Sequence, residues 1–230
     1  MNIGVVIPAA GQGKRMGTKE NKQFLYLNDL PILVHTIKTF FNIPLISEII
    51  VVVPEARLDF CQEKIIDKYN LEGVKLVAGG ETRRQSVFSG LKAFSLALDY
   101  VIIHDGARPL LSGEILDNII SSFKTYDAIT TGVKVKDTIK IRDENNFVNK
   151  TLDRDKLMSI QTPQAFSYPL ILKAHQKVSF TANVSDDASL VEITGHRVKI
   201  IEGSYENIKI TTPDDLKQAE IILENRGEVK

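Results

Sequence analysis

Pro8-Ala9-Ala10-Gly11-Gln12-Gly13-Lys14-Arg15-Met16-Gly17 is the stretch on which the reading of this chain turns. It follows a short apolar run, Ile3 to Ile7, that has the makeup of a buried strand. Lys22-Gln23-Phe24 and then a helical pattern come after it. Strand, glycine-rich loop, basic residues and helix, in that order, suit a polyphosphate. Small residues let the backbone come close to a ligand. Successive backbone N–H groups in such a loop form an anion-binding concavity, and Lys14, Arg15 and Lys22 add fixed positive charge. The spacing excludes two common loops. A P-loop needs Gly-Lys-Ser/Thr at a set distance, which is absent. A dinucleotide loop needs G-x-G-x-x-G, and here the third glycine falls one residue late, at Gly17. A plain βα turn with solvated charges stays open on this stretch alone.

Outward from the loop, strand and helix patterns alternate. Pro31 to Phe41 reads as a helix, and Glu48 to Val53 (EIIVVV) as a strand covered on both faces, as in a parallel sheet. A mixed helical pattern from Arg57 to Tyr69 and a short strand, Val74 to Val77, follow. Thr82 and Gln85 form a capping box, so a helix starts after Gly79-Gly80-Glu81. Arg83 in its first turn opposes the helix dipole. That conflict points either to an anionic partner or to an exposed arginine at a helix end. Tyr100 to Ile103 is a strand ending in His104-Asp105-Gly106-Ala107-Arg108-Pro109. Ligands of open α/β sheets bind beyond the carboxyl ends of the strands. Asp105 is therefore a candidate for holding a hydroxyl or a divalent cation, with a turn or capping role as the alternative. His104 reads as a packed strand-end residue.

Ser112 to Phe123 continues as a helix and Asp127 to Val135 as a strand. Then the pattern changes to two alternating runs, Lys136 to Arg142 and Phe147 to Leu152, around the turn signal Asp143-Glu144-Asn145-Asn146. This is a β-hairpin inserted among βα units. A two-stranded hairpin is marginal alone, so it packs on a second subunit or on its own domain. Helices are expected over Tyr168 to Gln176 and from Ser185-Asp186-Asp187, whose acids suit the helix dipole. Arg197 to Ile201 is a strand, Asn207 to Thr211 a short extended segment, and Thr212-Pro213-Asp214-Asp215 opens the last helix. Lys209, in that apolar segment, must reach water or an anion. The expectation is an α/β fold with a doubly wound, mostly parallel sheet, as one domain over 1–230 carrying a hairpin arm at about 136–153.

Composition bounds the function. The chain has 230 residues, 43% of them hydrophobic, and 29 basic residues balance 29 acidic ones. Zero net charge disfavours a general nucleic-acid or membrane-surface binder. Cys61 is the only cysteine, so no internal disulfide can form. No signal peptide pattern or membrane-length apolar run is present, and a cytoplasmic setting is expected. His35, His175 and His196 are scattered, without zinc-site spacing.

Taken in order, PAAGQGKRMG, Lys22-Gln23, GGETRRQSV, HDGARP, VKDTIK, Asp153-Arg154, QTPQAF, SDDASLVE and EGSYENIKITTPDDL resemble the 2-C-methyl-D-erythritol 4-phosphate cytidylyltransferase family, nearly end to end. Glu81, where aspartate is as common, and Ser185, where threonine is common, keep the functional group. The resemblance implies a nucleotidyltransferase, Rossmann-like fold. It also implies transfer of CMP from CTP to 2-C-methyl-D-erythritol 4-phosphate, with Mg²⁺ as cofactor and pyrophosphate as leaving group. Ala9, Ala10, Gly11 and Gly13 would line the CTP pocket, and Arg15 and Lys22 would hold the triphosphate. Gly80, Glu81, Arg83 and Ser86 would recognise cytidine. Asp105, Ala107 and Arg108 would face the polyol phosphate, Asp105 near Mg²⁺, with Ser185 also at the substrate. Thr138 and Arg154 would come from the hairpin arm, which in this family reaches into the partner of a homodimer, and Lys209 would position the phosphate. Ribitol-5-phosphate cytidylyltransferase is the rival within the same chemistry, and a non-catalytic CTP-binding sensor is the rival of another class.

Overall fold

The computed structural model describes residues 1–11, 21–180, 182 and 184–227. Its main sheet has seven strands in the order β11-β7-β10-β6-β1-β4-β5. In chain order these are β1 (Ile3–Pro8), β4 (Ile46–Val53), β5 (Val74–Ala78), β6 (Tyr100–Ile103), β7 (Ala128–Lys134), β10 (Met158–Ser167) and β11 (Lys199–Glu202). β1 pairs in parallel with β4 and β6, β4 with β5, and β7 with β11; β10 alone runs antiparallel, between β6 and β7. β2 (Tyr26–Leu27) and β3 (Leu30–Pro31) make a small ribbon ahead of α1 (Ile32–Phe41).

Helices cover both faces because the strands are apolar on both. From β1, Ile3, Val5 and Ile7 point to one side. There they join Leu33, Val34, Ile37 and Phe40 of α1, Cys61 of α2 (Leu58–Cys61) and Ile115, Leu116 and Ile119 of α4 (Gly113–Ser122). Val6 points to the other side, with Val87 and Leu91 of α3 (Arg83–Lys92), Ile171 and Ala174 of α5 (Tyr168–Lys177), and Leu190 and Val191 of α6 (Asp187–Ile193). This alternation along a strand buried on both faces is what a doubly wound sheet requires. α7 (Pro213–Asn225) starts with the expected cap: Thr212 accepts from the Asp215 N–H and Pro213 occupies the first turn. Its Ala219, Ile222 and Leu223 close a third apolar cluster with Leu27, Ile32, Leu110 and Ile210.

Two features go beyond the expectations and one expectation narrows. β10 was not legible as a strand, because Gln161-Thr162-Pro163-Gln164 is polar and holds a proline. Its ladder with β7 slips register between Gln161 and Gln164. That bulge accommodates the residue with no N–H to give. Asn207 to Thr211 is not a strand; side chains and turns hold it. Arg108 Nη1 donates to the Asn207 carbonyl at 2.6 Å, Asn207 Nδ2 to the Thr162 carbonyl at 2.9 Å, and the Ile210 N–H to the Ala107 carbonyl at 2.9 Å. The hairpin is present but shorter than its pattern, with β8 (Lys140–Arg142) antiparallel to β9 (Val148–Thr151). No helix among the described residues is long and apolar enough to cross a membrane.

Candidate active site

The chain leaves β1 through α1 toward β4 and β5, then returns on the other side of β1 as β6. The order reverses at the β1–β6 pair, and such a switch point opens a crevice at the strands' carboxyl ends. A cavity of about 300 Å³ lies there. Of the residues singled out from the sequence, Ala9, Ala10, Gly11, Lys22, Gly80, Glu81, Arg83, Ser86, Asp105, Ala107 and Lys209 all line it. Gly13 and Arg15 lie outside the described residues. A larger groove, of about 800 Å³, near His35, Ser112 and Arg226, contains none of the selected residues.

Close backbone approach shapes the walls. A Cβ on Gly79 would stand 2.6 Å from Ala10 Cβ and 2.8 Å from Ser86 Oγ. Glycine is needed there so that the β5–α3 turn can lie against the loop after β1. Gln23, buried, donates through Nε2 to the carbonyls of Ala9 and Gly11, which fixes the start of the glycine-rich loop. Lys22 Nζ donates to the Ile210 carbonyl at 2.9 Å, tying that side of the cavity to the segment carrying Lys209. Thr82 and Gln85 form the expected capping box. Ser86 Oγ accepts from the Gly80 N–H at 3.2 Å and donates to the Thr82 carbonyl at 3.0 Å. Its hydroxyl sets the shape of the Gly80 turn.

The floor is a chain of charges. Asp105, buried at the end of β6, takes Lys209 Nζ at 2.6 Å on Oδ2 and Arg83 Nε at 3.0 Å on Oδ1; Arg108 Nε is 4.0 Å away. Burial pushes the Asp105 carboxyl up, but the attraction of Arg83, Lys209 and Arg108 outweighs it and holds the group well below the usual carboxylate range. Arg83 reaches on to a second carboxylate, with Nη1 2.7 Å from Asp187 Oδ2. The anionic partner suggested by a cation at this helix start is thus inside the protein. Burial disfavours the charged guanidinium, yet Asp187 and Asp105 together hold it above its ordinary value.

A second tier orders Asp105. Its N–H donates to Thr162 Oγ1 at 3.0 Å, and Thr162 Oγ1 lies 3.2 Å from His104 Nδ1. His104 Nε2 sits 2.9 Å from the Arg108 carbonyl, which can only accept. The network therefore puts the proton of a neutral His104 on Nε2, with Thr162 donating to Nδ1. Complete burial drives the His104 pKa down to about 4, so it is the packed strand-end residue expected.

The remaining selected residues stand elsewhere. Arg108 stands outside the cavity lining, and its Nη1 donates to the Asn207 carbonyl at 2.6 Å, fastening the Lys209 segment. Ser185 is exposed and lies outside the lining, with Oγ 3.5 Å from Asp186 Oδ1. Thr138 and Arg154, both exposed, are on or beside the arm; Arg154 Nη1 donates to the Lys136 carbonyl at 3.1 Å. Asp105, singled out near Mg²⁺, already meets three cations, and no cluster of three or more His, Cys, Asp or Glu among the described residues could hold a metal ion. Sequence reasoning passed over Asp187, read there as a dipole residue, and gave Gln23, Thr162 and Asn207 no role. All four are polar and buried. The one signal in the sequence was their place within motifs already quoted.

The model of the family described as IspD, 2-C-methyl-D-erythritol 4-phosphate cytidylyltransferase, matches residues 3–225. The protein of that name from Alkaliphilus oremlandii is 49% identical over 227 residues, covering 97% of this chain and 96% of the relative. Its counterpart from Clostridium beijerinckii is 46% identical over 224 residues, covering 97% and 99%. The solved 4-diphosphocytidyl-2C-methyl-D-erythritol synthase of Anaerococcus prevotii superposes with a TM-score of 0.84 at 34% identity, covering 96% of each chain. Likeness of this extent in both sequence and fold, around a crevice built from the motifs that first suggested it, means that the chain belongs to the 2-C-methyl-D-erythritol 4-phosphate cytidylyltransferase family.

Proposed function

We propose that the switch-point cavity binds CTP and 2-C-methyl-D-erythritol 4-phosphate together and transfers CMP to the latter. A phosphate oxygen of the polyol attacks the α-phosphorus of CTP. The new P–O bond forms as the α–β bridge breaks, and pyrophosphate leaves. The observation that carries this reading is the Lys209–Asp105–Arg83 chain of charges in the same cavity as Ala9 to Gly11 and Lys22.

The nucleophile is ionised at neutral pH, so the reaction needs no general base. A base would have a pKa near the working pH. Asp105 is held far below that and His104 is buried beneath it. What the site must supply is position and positive charge against an anion attacking a polyanion. In this reading Ala9, Ala10, Gly11 and Gly13 accommodate the nucleotide backbone, Arg15 and Lys22 answer charge on the α-phosphate and the leaving group, and Gly80 with Glu81, Arg83 and Ser86 frames the base. Asp105, Ala107, Arg108 and Lys209 face the polyol phosphate. Mg²⁺, with the triphosphate oxygens that it prefers and Asp105 near them, would supply Lewis-acid neutralisation of the phosphate charge.

The chain is read as one catalytic domain with an arm at about 136–153. The arm pairs with no strand of the main sheet and exposes Phe147 (72%) and Val148 (61%), with Ile139 and Ile141 beside them. Apolar surface on a two-stranded ribbon calls for a partner. A homodimer in which each arm covers the other subunit's cavity would bring Thr138 and Arg154 to the polyol phosphate. Pyrophosphate release with CTP and Mg²⁺, offered methylerythritol phosphate and ribitol 5-phosphate in parallel, tests the reaction. Release with the first substrate alone is expected. Release only with the second would move the protein to the rival polyol, and CTP binding with no release would make it a sensor.

A further inference from the structure

Asp187 is 1% exposed at the start of α6, outside every loop that lines the cavity. Its backbone is fixed from β10. The Ala188 N–H donates to Gln164 Oε1 at 3.0 Å, and Gln164 Nε2 donates to Asp186 Oδ2 at 2.6 Å and to Thr130 Oγ1 at 3.1 Å. From that anchor the carboxylate takes Arg83 Nη1 at 2.7 Å, while Oδ1 stands 3.3 Å from Nε2 of the buried His175. His175 is in turn stacked flat on Phe88 of α3, with ring centroids 5.6 Å apart. Arg83 is therefore gripped from two directions, through Nε by Asp105 at the end of β6 and through Nη1 by Asp187 on α6.

We infer that Asp187 is a positioning residue for the transfer reaction, acting through Arg83 to set where the Asp105–Lys209 pair stands in the cavity. Arg83 is long and flexible, and its place in the first turn of α3 gives it no local partner. With Asp105 alone as a hold, the guanidinium could turn about that single hydrogen bond and carry the carboxylate with it. A second carboxylate at right range makes the fork two-pointed, and guanidinium geometry, unlike an ammonium, suits a two-pointed hold. Burial pushes the Asp187 carboxyl up, but Arg83 and His175 together bring it below its ordinary value, so it stays ionised for this task. The dipole role readable from the sequence needs only an exposed acid. It does not call for burial or for an arginine from another helix.

The inference rests on the proposed reaction, and its test separates the two. A double-mutant cycle of Arg83→Gln and Asp187→Asn is measured on kcat/KM and, separately, on the Kd for CTP. Asp187→Asn keeps the shape and one acceptor. Each single change is expected to lower kcat/KM by roughly 100-fold, the cost of misplacing a positioned group by about an ångström. The double variant is expected to fall no further than Arg83→Gln alone. Losses that multiply, or an Asp187→Asn enzyme with unaltered kcat/KM, would overturn the inference, since independent or merely structural roles add. Arg83→Lys keeps the charge and leaves both carboxylates in place, so it reads the two-pointed hold even where Asp187→Asn proves insoluble. Its loss should match that of Arg83→Gln, and wild-type turnover with lysine would reject the hold. If the unaltered protein released no pyrophosphate, the proposed reaction would fail and the cycle would be judged on CTP binding.

Discussion

Lys209 Nζ stands 2.6 Å from Asp105 Oδ2 across 104 residues of sequence. The pair exists because the Asn207–Thr211 segment is tied down on both sides. Arg108 and Asn207 fasten one end to the loop after β6 and to β10, and the Ile210 N–H joins the Ala107 carbonyl. Lys209→Gln should keep the fold and lower kcat/KM by about 100-fold, the usual loss for one well-placed electrostatic donor. Steady-state kinetics would check this, and turnover near that of the unaltered protein would remove Lys209 from the mechanism.

Lys22 borders the same cavity and donates to the Ile210 carbonyl. Lys22→Ala should cost kcat at least ~100-fold by the same electrostatic reasoning. Single-turnover measurements at saturating CTP would separate this from weaker binding; a loss confined to KM would make Lys22 a ground-state contact.

Gly79 admits no side chain where Ala10 and Ser86 close on it. Gly79→Ala should destabilise by about 1–3 kcal/mol, as overpacking of a close contact does, and should weaken CTP binding because the displaced wall is Ala10. Thermal unfolding and CTP titration together check it; an unchanged melting temperature would mean that the turn yields freely.

Stability should fall on acidification in a window set by His104. Its pKa drops from 6.5 to about 4 on folding. Between those values the unfolded chain binds a proton that the folded one does not, so stability declines as pH falls, by up to about 1.4 kcal/mol per unit and on the order of 3 kcal/mol in all. Asp105 works lower down. Its depressed folded pKa contributes stability above the ordinary carboxylate value, which is lost as pH drops below it. Urea unfolding from pH 7 to 4 on the protein and on His104→Gln tests the first part. The variant should show the shallower slope.

The arm should decide both assembly and one substrate. Arg154→Ala should raise KM for the polyol phosphate and leave that for CTP unchanged. Phe147→Ser with Val148→Ser, which removes the most exposed apolar surface of the ribbon, should shift light scattering from dimer toward monomer and lower activity with it. A fully active monomer would sink the shared-site arrangement.

The order of strands and helices was legible because local chemistry wrote it. β-branched runs marked β4 and β6, and Thr82 and Thr212 capped their helices as read. The motifs also named most of the cavity lining, since small residues and charges at strand ends have few other uses. Three matters needed the tertiary structure. β10 carries a strand's hydrogen bonds on a polar, proline-containing sequence because both neighbours in the sheet and a bulge supply what its residues lack. Arg108 also fastens the Lys209 segment, a contact that depends on residues about a hundred positions away. Asp187 had a sufficient local explanation at a helix start. Its pairing with Arg83 follows only from the packing of both α3 and α6 on α5, and a pattern of side chains along the chain does not encode which buried charges will meet.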